Sequence, residues 1–198
     1  MVQPFIYNDQ YAKKAKKEGY LARSAYKLKE ILDEFNIIKP GQKILDIGSA
    51  PGSWLQVASK IIGKNGLAVG VDLSQIDAKA KNIITLKGDI FSDKIENEIA
   101  KFGPYDTIIS DAAPNTTGIK DRDQTLSYEL VEKTIQLSEL YLKTGGSFVA
   151  KIFQGPDTKK LLQHMKNLFE IARATKPKAS RDRSFEEYII GIRKIWIF

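Results

Sequence analysis

The feature that most constrains the fold is a strand-to-turn junction within residues 44–54, where an apolar run containing Asp46 leads into Gly48 and Gly52. An apolar run of this length predicts a buried parallel strand, and the glycines predict a turn whose backbone closely approaches another group. In a doubly wound α/β sheet such a junction lies at the carboxyl edge, where cofactors bind. The spacing matches neither G-x-G-x-x-G nor G-x-x-x-x-G-K-[ST], and Pro51 lacks an amide that a pyrophosphate would use. We therefore expect a cofactor turn of another kind, with an ordinary tight turn as the alternative.

Acidic residues also end three further predicted strands, at Asp72, Asp89 and Asp111. Asp72 lies 20 positions after Gly52, the distance at which α/β nucleoside sites place a carboxylate on ribose hydroxyls. Each acid alone could be a turn or helix cap. Together they suit the hydroxyls, amino group and sulfonium charge of S-adenosylmethionine, and the turn resembles the first motif of methyltransferases that use it.

The order of predicted elements indicates an α/β fold of Rossmann-like type. Seven strands are predicted, over residues 42–47, 67–72, 82–87, 105–110, 147–153, 169–175 and 187–198. The last two strands follow each other without a helix, so they form a hairpin and one strand is antiparallel in an otherwise parallel sheet. We expect helices on both faces and a single domain, 1–198, with residues 1–38 as a basic helical extension packed on it.

The composition excludes several classes of protein. With 198 residues, 42% of them hydrophobic and 28% charged, the chain suits one soluble globular domain. It has no cysteine, which excludes disulfides, thiolate zinc sites and a cysteine nucleophile, and His164 alone builds no metal site. No apolar run approaches membrane-spanning length and no secretory signal is evident, so we expect a cytoplasmic monomer, or an organellar one if a transit peptide has been removed.

Two basic segments and a net charge of +7 predict a polyanionic partner. The candidate RNA-binding residues are Lys13, Lys14, Lys16, Lys17 and Arg23 in the first segment, and Lys176, Lys178, Arg181 and Arg183 in the second. A solvated surface is the alternative interpretation of each segment taken alone.

Two lysines are unusually placed. Lys151 lies between apolar neighbours in a predicted central strand. Burying a lysine there costs free energy unless its charge is paired or the residue lies at the end of the strand. An edge strand protected by a lysine is the alternative. Lys27 lies beside the apolar stripe of a predicted helix and could therefore emerge near a cleft.

These residues make the chain resemble the FtsJ family of RNA ribose 2′-O-methyltransferases, known for a Lys-Asp-Lys-Glu tetrad. The resemblance covers nearly the whole chain, through the segments 23–28, 46–54, 110–115, 145–155 and 180–188. It implies a catalytic tetrad of Lys27, Asp111, Lys151 and Glu186. Ser53 stands where a second glycine is frequent in the family, and Glu187 makes the last member ambiguous, although the spacing to Tyr188 favours Glu186.

The resemblance also implies S-adenosylmethionine as cofactor, with no metal. The implied contacts are Asp46, Gly48, Ser49, Pro51, Gly52, Trp54, Asp72, Asp89 and Asp111. Trp54 could equally be a core residue, and we expect its backbone to contact the cofactor in preference to its ring.

The expected chemistry is proton removal from a ribose hydroxyl. This hydroxyl is a poor nucleophile and the donor methyl is already activated, so the enzyme must supply alignment and a base. A lysine can be that base when burial and a neighbouring cation favour its neutral form. Our hypothesis is that Lys151 takes the proton and Asp111 orients Lys151 and the methyl group, while Lys27 and Glu186 hold the ribose.

In its compact length the chain resembles the family members that modify a uridine of large-subunit ribosomal RNA. We therefore expect ribosomal RNA or the large ribosomal subunit as partner. Methylation of a tRNA anticodon loop is the alternative. Other possibilities are a small-molecule O-methyltransferase and a non-catalytic RNA-binding assembly factor. An exocyclic-amine methyltransferase would carry Asn/Asp-Pro-Pro-aromatic where this chain has Asp111-Ala112-Ala113-Pro114.

Overall fold

The computed structural model describes residues 9–180 and 184–196. Its helices are α1 (Gln10–Lys17), α2 (Ala25–Phe35), α3 (Ser53–Ile62), α4 (Asp93–Ala100), α5 (Lys120–Tyr141) and α6 (Thr158–Leu168). Its strands are β1 (Lys43–Ile47), β2 (Leu67–Asp72), β3 (Ile83–Lys87), β4 (Tyr105–Ser110), β5 (Leu142–Phe153), β6 (Phe169–Thr175) and β7 (Glu186–Lys194). A short 3₁₀ turn, Gly63–Asn65, follows α3.

The seven strands form one sheet in the order β3-β2-β1-β4-β5-β7-β6. The first five strands in this order are parallel, and β7 is antiparallel to both β5 and β6. The predicted Rossmann-like fold with one antiparallel strand is therefore confirmed. The hairpin partner lies at the sheet edge, because β7 inserts between β6 and the parallel strands.

Apolar residues on the two faces of the sheet form two separate cores. Leu45 and Ile47 of β1 pack with α4, α5 and α6, whereas Ile44 packs with α2 and α3. This alternation follows from the two-residue period of a strand. It places helices on both faces, as predicted, and it turns Asp46 toward the layer formed by α2 and α3.

Two strand boundaries differ from the prediction. β5 begins at Leu142 instead of residue 147, because buried Leu142 pairs with Tyr105 before the register shifts at Gly145 and Gly146. A Cβ at position 146 would lie 2.9 Å from the Asp106 carbonyl oxygen, so the close approach of the two strands here requires glycine. The last strand ends at Lys194, so the predicted extension through residues 195 and 196 is wrong, and residues 197 and 198 lie outside the described part.

The N-terminal residues contact the body of the molecule through a small aromatic cluster. Ala15 of α1, Tyr26 of α2 and Ala179 are buried together, with Tyr11 and Tyr20 packed around them. Asp9 caps α1 by accepting a hydrogen bond from the Ala12 amide. The single-domain assignment stays a prediction. Within residues 9–180 and 184–196, every helix is too short or too polar to cross a membrane.

Candidate active site

A cavity of about 330 Å³ opens at the carboxyl edge of the parallel strands. We call it the rim cavity, and its lining is Ile47, Gly48, Ala50, Val71, Asp72, Leu73, Ser74, Gly88, Asp89, Ile90, Asp111, Ala112, Ala113 and Leu130. Three of the four predicted acids, Asp72, Asp89 and Asp111, therefore share one concave surface. A cavity of this size with a few convergent polar groups is typical of a small-molecule or cofactor site.

The glycines of the turn are close to protein atoms. Gly48 has φ +70° and a Cβ there would lie 2.5 Å from the Cα and Cβ of Ala112. Gly52 has φ +118°, and a Cβ there would lie 2.4 Å from the Cβ of Ala78. The predicted close approach exists, but the turn packs tightly against the loops that follow β2 and β4. Only Gly48 of this pair lines the rim cavity.

Asp72 and Asp89 are held by backbone amides. The two carboxylate oxygens of Asp72 accept hydrogen bonds from the Ala50 amide at 2.9 Å and the Ser74 amide at 2.7 Å. One oxygen of Asp89 accepts from the Phe91 amide at 3.0 Å. Each carboxylate oxygen has two lone pairs, so both acids keep acceptor capacity for hydroxyl or amino groups in the cavity.

Asp46 is wholly buried and does not line the rim cavity. Neither of its carboxylate oxygens has a hydrogen-bond partner among the described residues. Burial raises the pKa of Asp46 well above its usual range, and the charges of Asp111 and Asp72 raise it further. Its proximity to those two acids keeps it beside the site, and its contact with a cofactor stays a prediction.

The other predicted cofactor residues turn away from the cavity. The Ser49 hydroxyl donates to the Val71 carbonyl, and Pro51 and Gly52 lie outside the lining. The indole of Trp54 is buried, donates to the Ser24 carbonyl at 2.9 Å and stacks on Tyr188 with ring centroids 5.7 Å apart. The Trp54 ring is thus a core residue, as the alternative interpretation had it.

The tetrad residues lie together at this edge as two ion pairs. Lys151 Nζ lies 3.1 Å from Asp111 Oδ1 and donates to the Asp111 carbonyl oxygen at 2.6 Å. Lys27 Nζ lies 2.5 Å from Glu186 Oε1. All four side chains are largely buried. Asp111 also lines the rim cavity, so it connects the cavity to the lysine.

Strand register explains why Glu186, and not its neighbour, joins the tetrad. In the antiparallel ladder Tyr188 lies opposite Lys151, Glu187 opposite Ile152, and Glu186 opposite Phe153. Residues two apart share a face, so Glu186 points to the face of Lys151 and Glu187 points away. Burial tends to raise the pKa of Glu186, but the hydrogen bond and charge of Lys27, with the charge of Lys151, lower it overall.

Tyr188 is a site residue that the sequence interpretation missed. It is fully buried, and its hydroxyl donates to Asp111 Oδ1 at 2.7 Å. Burial raises the pKa of this phenol well above its usual range, and the negative charges of Asp111 and Glu186 add to the effect. The sequence feature that could have identified Tyr188 was its position two residues after Glu186 in the same strand.

The basic segments meet in space beside α2. The α1 lysines, Lys176 and Lys178 are exposed, and Lys176 also donates to the Ser184 carbonyl. Arg23 instead pairs with Asp9 and donates to the Ala179 carbonyl, so it ties the two segments together. Arg181 and Arg183 lie outside the described residues, and their predicted RNA contacts stay predictions.

The fold and this edge define a Rossmann-like methyltransferase that uses S-adenosylmethionine. A family model for FtsJ-like methyltransferases matches residues 20–194. The chain belongs to this family.

Known proteins are similar over nearly the whole chain. The large-subunit ribosomal RNA methyltransferase E of Syntrophobacter fumaroxidans is 44% identical over 191 residues, 96% of this chain and 97% of that protein. The protein of the same name from Treponema denticola is 44% identical over 93% of this chain and 94% of its own. Aeropyrum pernix fibrillarin, solved with bound S-adenosylmethionine, shares the fold with a TM-score of 0.65 at 20% identity, over 85% of this chain and 76% of that one.

Proposed function

We propose that this protein methylates a ribose 2′-hydroxyl of large-subunit ribosomal RNA, with S-adenosylmethionine as donor. The observation that carries the proposal is the position of Asp111, which lines the rim cavity and pairs with Lys151. A methyl donor in the cavity and a base on Lys151 would then lie on the two sides of one carboxylate. The names of the similar bacterial proteins support ribosomal RNA as the substrate.

The residues of the rim cavity fit the proposed cofactor. When bound, S-adenosylmethionine supplies a methyl group activated by a sulfonium charge. Asp72 and Asp89 would accept hydrogen bonds from its hydroxyl and amino groups, because both residues line the cavity and their carboxylates keep unused acceptor capacity. Asp111 would lie nearest the reacting end, where a carboxylate favours positive charge.

Lys151 is the proposed general base. Its Nζ contacts the carbonyl oxygen and Oδ1 of Asp111. These contacts use two of the three hydrogen-bonding directions of a lysine amine, and the third would serve a substrate hydroxyl. In the neutral form Lys151 would accept the 2′-hydroxyl proton as the ribose oxygen is methylated. The ion pair of Lys27 and Glu186 would hold the ribose through hydrogen bonds to its hydroxyls, since both groups lie beside Lys151.

The basic segments would bind the RNA backbone. Phosphate contacts position an RNA without reading its sequence, which suits a reaction at a 2′-hydroxyl. We further propose uridine as the methylated nucleotide and the cytoplasm as the site of action.

The test is to map 2′-O-methyl groups in RNA from cells with and without this protein, and to repeat the transfer with purified protein and labelled S-adenosylmethionine. The expected result is one large-subunit site that disappears without the protein and returns with the wild type. Lys151→Arg should restore it at least 100-fold more slowly, since arginine keeps its charge and general bases contribute about 10²–10⁴-fold.

The matched control is Lys159→Arg, at an exposed lysine of α6. It should restore methylation at the wild-type rate. Near wild-type turnover by Lys151→Arg would remove the base role. If the methyl group missing from cells without the protein lies in a tRNA anticodon loop, tRNA would replace ribosomal RNA as the proposed substrate. Identical methylation maps with and without the protein would favour a non-catalytic RNA-binding factor.

A further inference from the structure

A second cavity of about 330 Å³ adjoins the tetrad, and none of the roles above uses it. We call it the side cavity, and its lining is Thr116, Gly118, Lys120, Asp123, Gln124, Phe153, Ser184 and Phe185. Unlike the rim cavity, it shares no lining residue with the predicted cofactor site.

Its position relative to the tetrad is set by the β5–β7 ladder. Phe153 lies two residues beyond Lys151 in β5 and directly opposite Glu186, while Phe185 immediately precedes Glu186. Two residues of strand span about 7 Å. A group bound in the side cavity would therefore lie close to a ribose held by the tetrad.

The lining offers a flat apolar surface beside polar groups. The Phe185 side chain is 60% exposed, although large aromatic rings are usually buried. Lys120 Nζ lies 5.2 Å from the centre of the Phe185 ring, and the polar residues Thr116 and Ser184 also line the cavity. Exposed rings with adjacent cations are the surfaces on which unstacked RNA bases bind.

Hydrogen bonds hold the walls of the side cavity in place. Asp123 accepts from the Thr117 amide at 2.7 Å and the Gly118 amide at 3.1 Å, which fixes the loop before α5. The Gln154 amide donates to the Phe185 carbonyl at 2.7 Å, and Gln124 donates to the Gln154 carbonyl. The ring of Phe185 is thus presented by a restrained backbone.

We propose that the base of the acceptor nucleotide leaves the RNA stack and binds in the side cavity against Phe185, while its ribose lies at the tetrad. This inference rests on the proposed function, because it needs an RNA ribose at Lys151. The position of the side cavity favours the acceptor nucleotide's own base as its occupant, since the cavity begins beside the residues that would hold the ribose of that nucleotide. Lys120 would favour the adjoining phosphate.

The experiment compares two RNA fragments that carry the mapped acceptor, one native and one abasic at that nucleotide with its 2′-hydroxyl kept. For the wild type, base removal should lower kcat/KM on the order of 10-fold, the size expected from lost base–aromatic stacking. For Phe185→Ala the same removal should cost less than about 2-fold, because the stacking partner is already absent. Phe185→Trp should behave as the wild type.

The matched control is Leu140→Ala, which removes a side chain that is 65% exposed at the far end of α5. It should respond to base removal as the wild type does. Equal losses in the wild type and Phe185→Ala would overturn this inference and leave the proposed function standing. A wild type that transfers no methyl group to the native RNA would contradict the proposed function and this inference with it.

Discussion

At the scale of residues, the site consists of buried acidic and basic side chains whose charges partly compensate one another. The same oxygen of Asp111, Oδ1, forms the ion pair with Lys151 and accepts the hydrogen bond from the Tyr188 hydroxyl. Lys27 and Glu186 form the second pair. Because each group depends on its neighbours for charge compensation, substitutions here should alter catalysis more than they alter the fold.

Tyr188→Phe should lower kcat about 10-fold and leave binding of S-adenosylmethionine nearly unchanged. The change removes the hydroxyl that positions Asp111, while Lys151 still pairs with the carboxylate. The pH dependence of kcat should also shift, a response that a purely structural tyrosine would not produce. Steady-state kinetics across pH measure both effects.

The control is Tyr128→Phe, which removes a hydroxyl bonded to Glu132, one turn further along α5. It should leave kcat and its pH profile as in the wild type. An unchanged pH profile for Tyr188→Phe would show that the Tyr188 hydroxyl has no positioning role.

Asp46→Asn should raise the free energy of unfolding at neutral pH by about 1–3 kcal/mol, since an isolated buried charge is costly. The pKa of Asp46 is raised in the folded state, so the wild type loses stability as pH rises from the ordinary aspartate range toward the raised value. The variant should lack this loss. Urea unfolding at several pH values measures the difference.

Asp33→Asn, at an exposed position of α2, is the control and should follow the wild-type pH dependence. Weaker binding of S-adenosylmethionine by Asp46→Asn would support the predicted cofactor contact of Asp46. A variant no more stable than the wild type at neutral pH would contradict the burial argument.

At the scale of elements, the turn after β1 shows how local conformation and packing combine. The sequence predicted a strand that leads into a glycine turn, and the structure has β1 and the turn at those positions, with α3 directly after them. Local spacing could not identify Ala112 and Ala78 as the groups that the turn contacts, because both lie in distant loops.

Gly48→Ala should destabilise the protein by about 1–3 kcal/mol more than Gly19→Ala. Both glycines have a positive φ, +70° and +76°, so the backbone disfavours alanine at each. Only at Gly48 would the new Cβ lie 2.5 Å from Ala112, whereas at Gly19 no atom lies within 4 Å. Comparison of the two midpoints in urea measures the difference, and equal midpoints would show that the tight contact with Ala112 costs nothing.

At the scale of the whole molecule, the tertiary fold turns two basic segments into one surface beside the tetrad. Arg23 links them through Asp9 and Ala179, and α2 carries Lys27 to Glu186. The net charge of +7 alone would attract any polyanion. The arrangement adds a direction, because under the proposed function it would lead an RNA backbone toward the tetrad.

RNA affinity should fall steeply with salt, and Lys13→Ala with Lys17→Ala should reduce the slope of log affinity against log salt by roughly 1–2, about 0.7–0.9 for each lost phosphate contact. Both lysines are exposed on α1. A titration at several salt concentrations gives the slope. The control pair, Lys64→Ala with Lys166→Ala, removes equal charge at exposed positions outside both segments and should leave the slope unchanged. A flat salt dependence for the wild type would contradict this surface.

Local patterns were enough to predict the order of the strands and the acids at their carboxyl ends, although not every strand boundary. Apolar runs and glycine turns are local signals, and each acid lies at or near the end of its own strand. The sequence also indicated all four tetrad residues. The packing of the folded chain, in contrast, buries Asp46 and Trp54, bonds Tyr188 to Asp111 and lets Arg23 join two segments. These outcomes depend on contacts between residues far apart in the chain, through sheet order and packing, which no local pattern encodes.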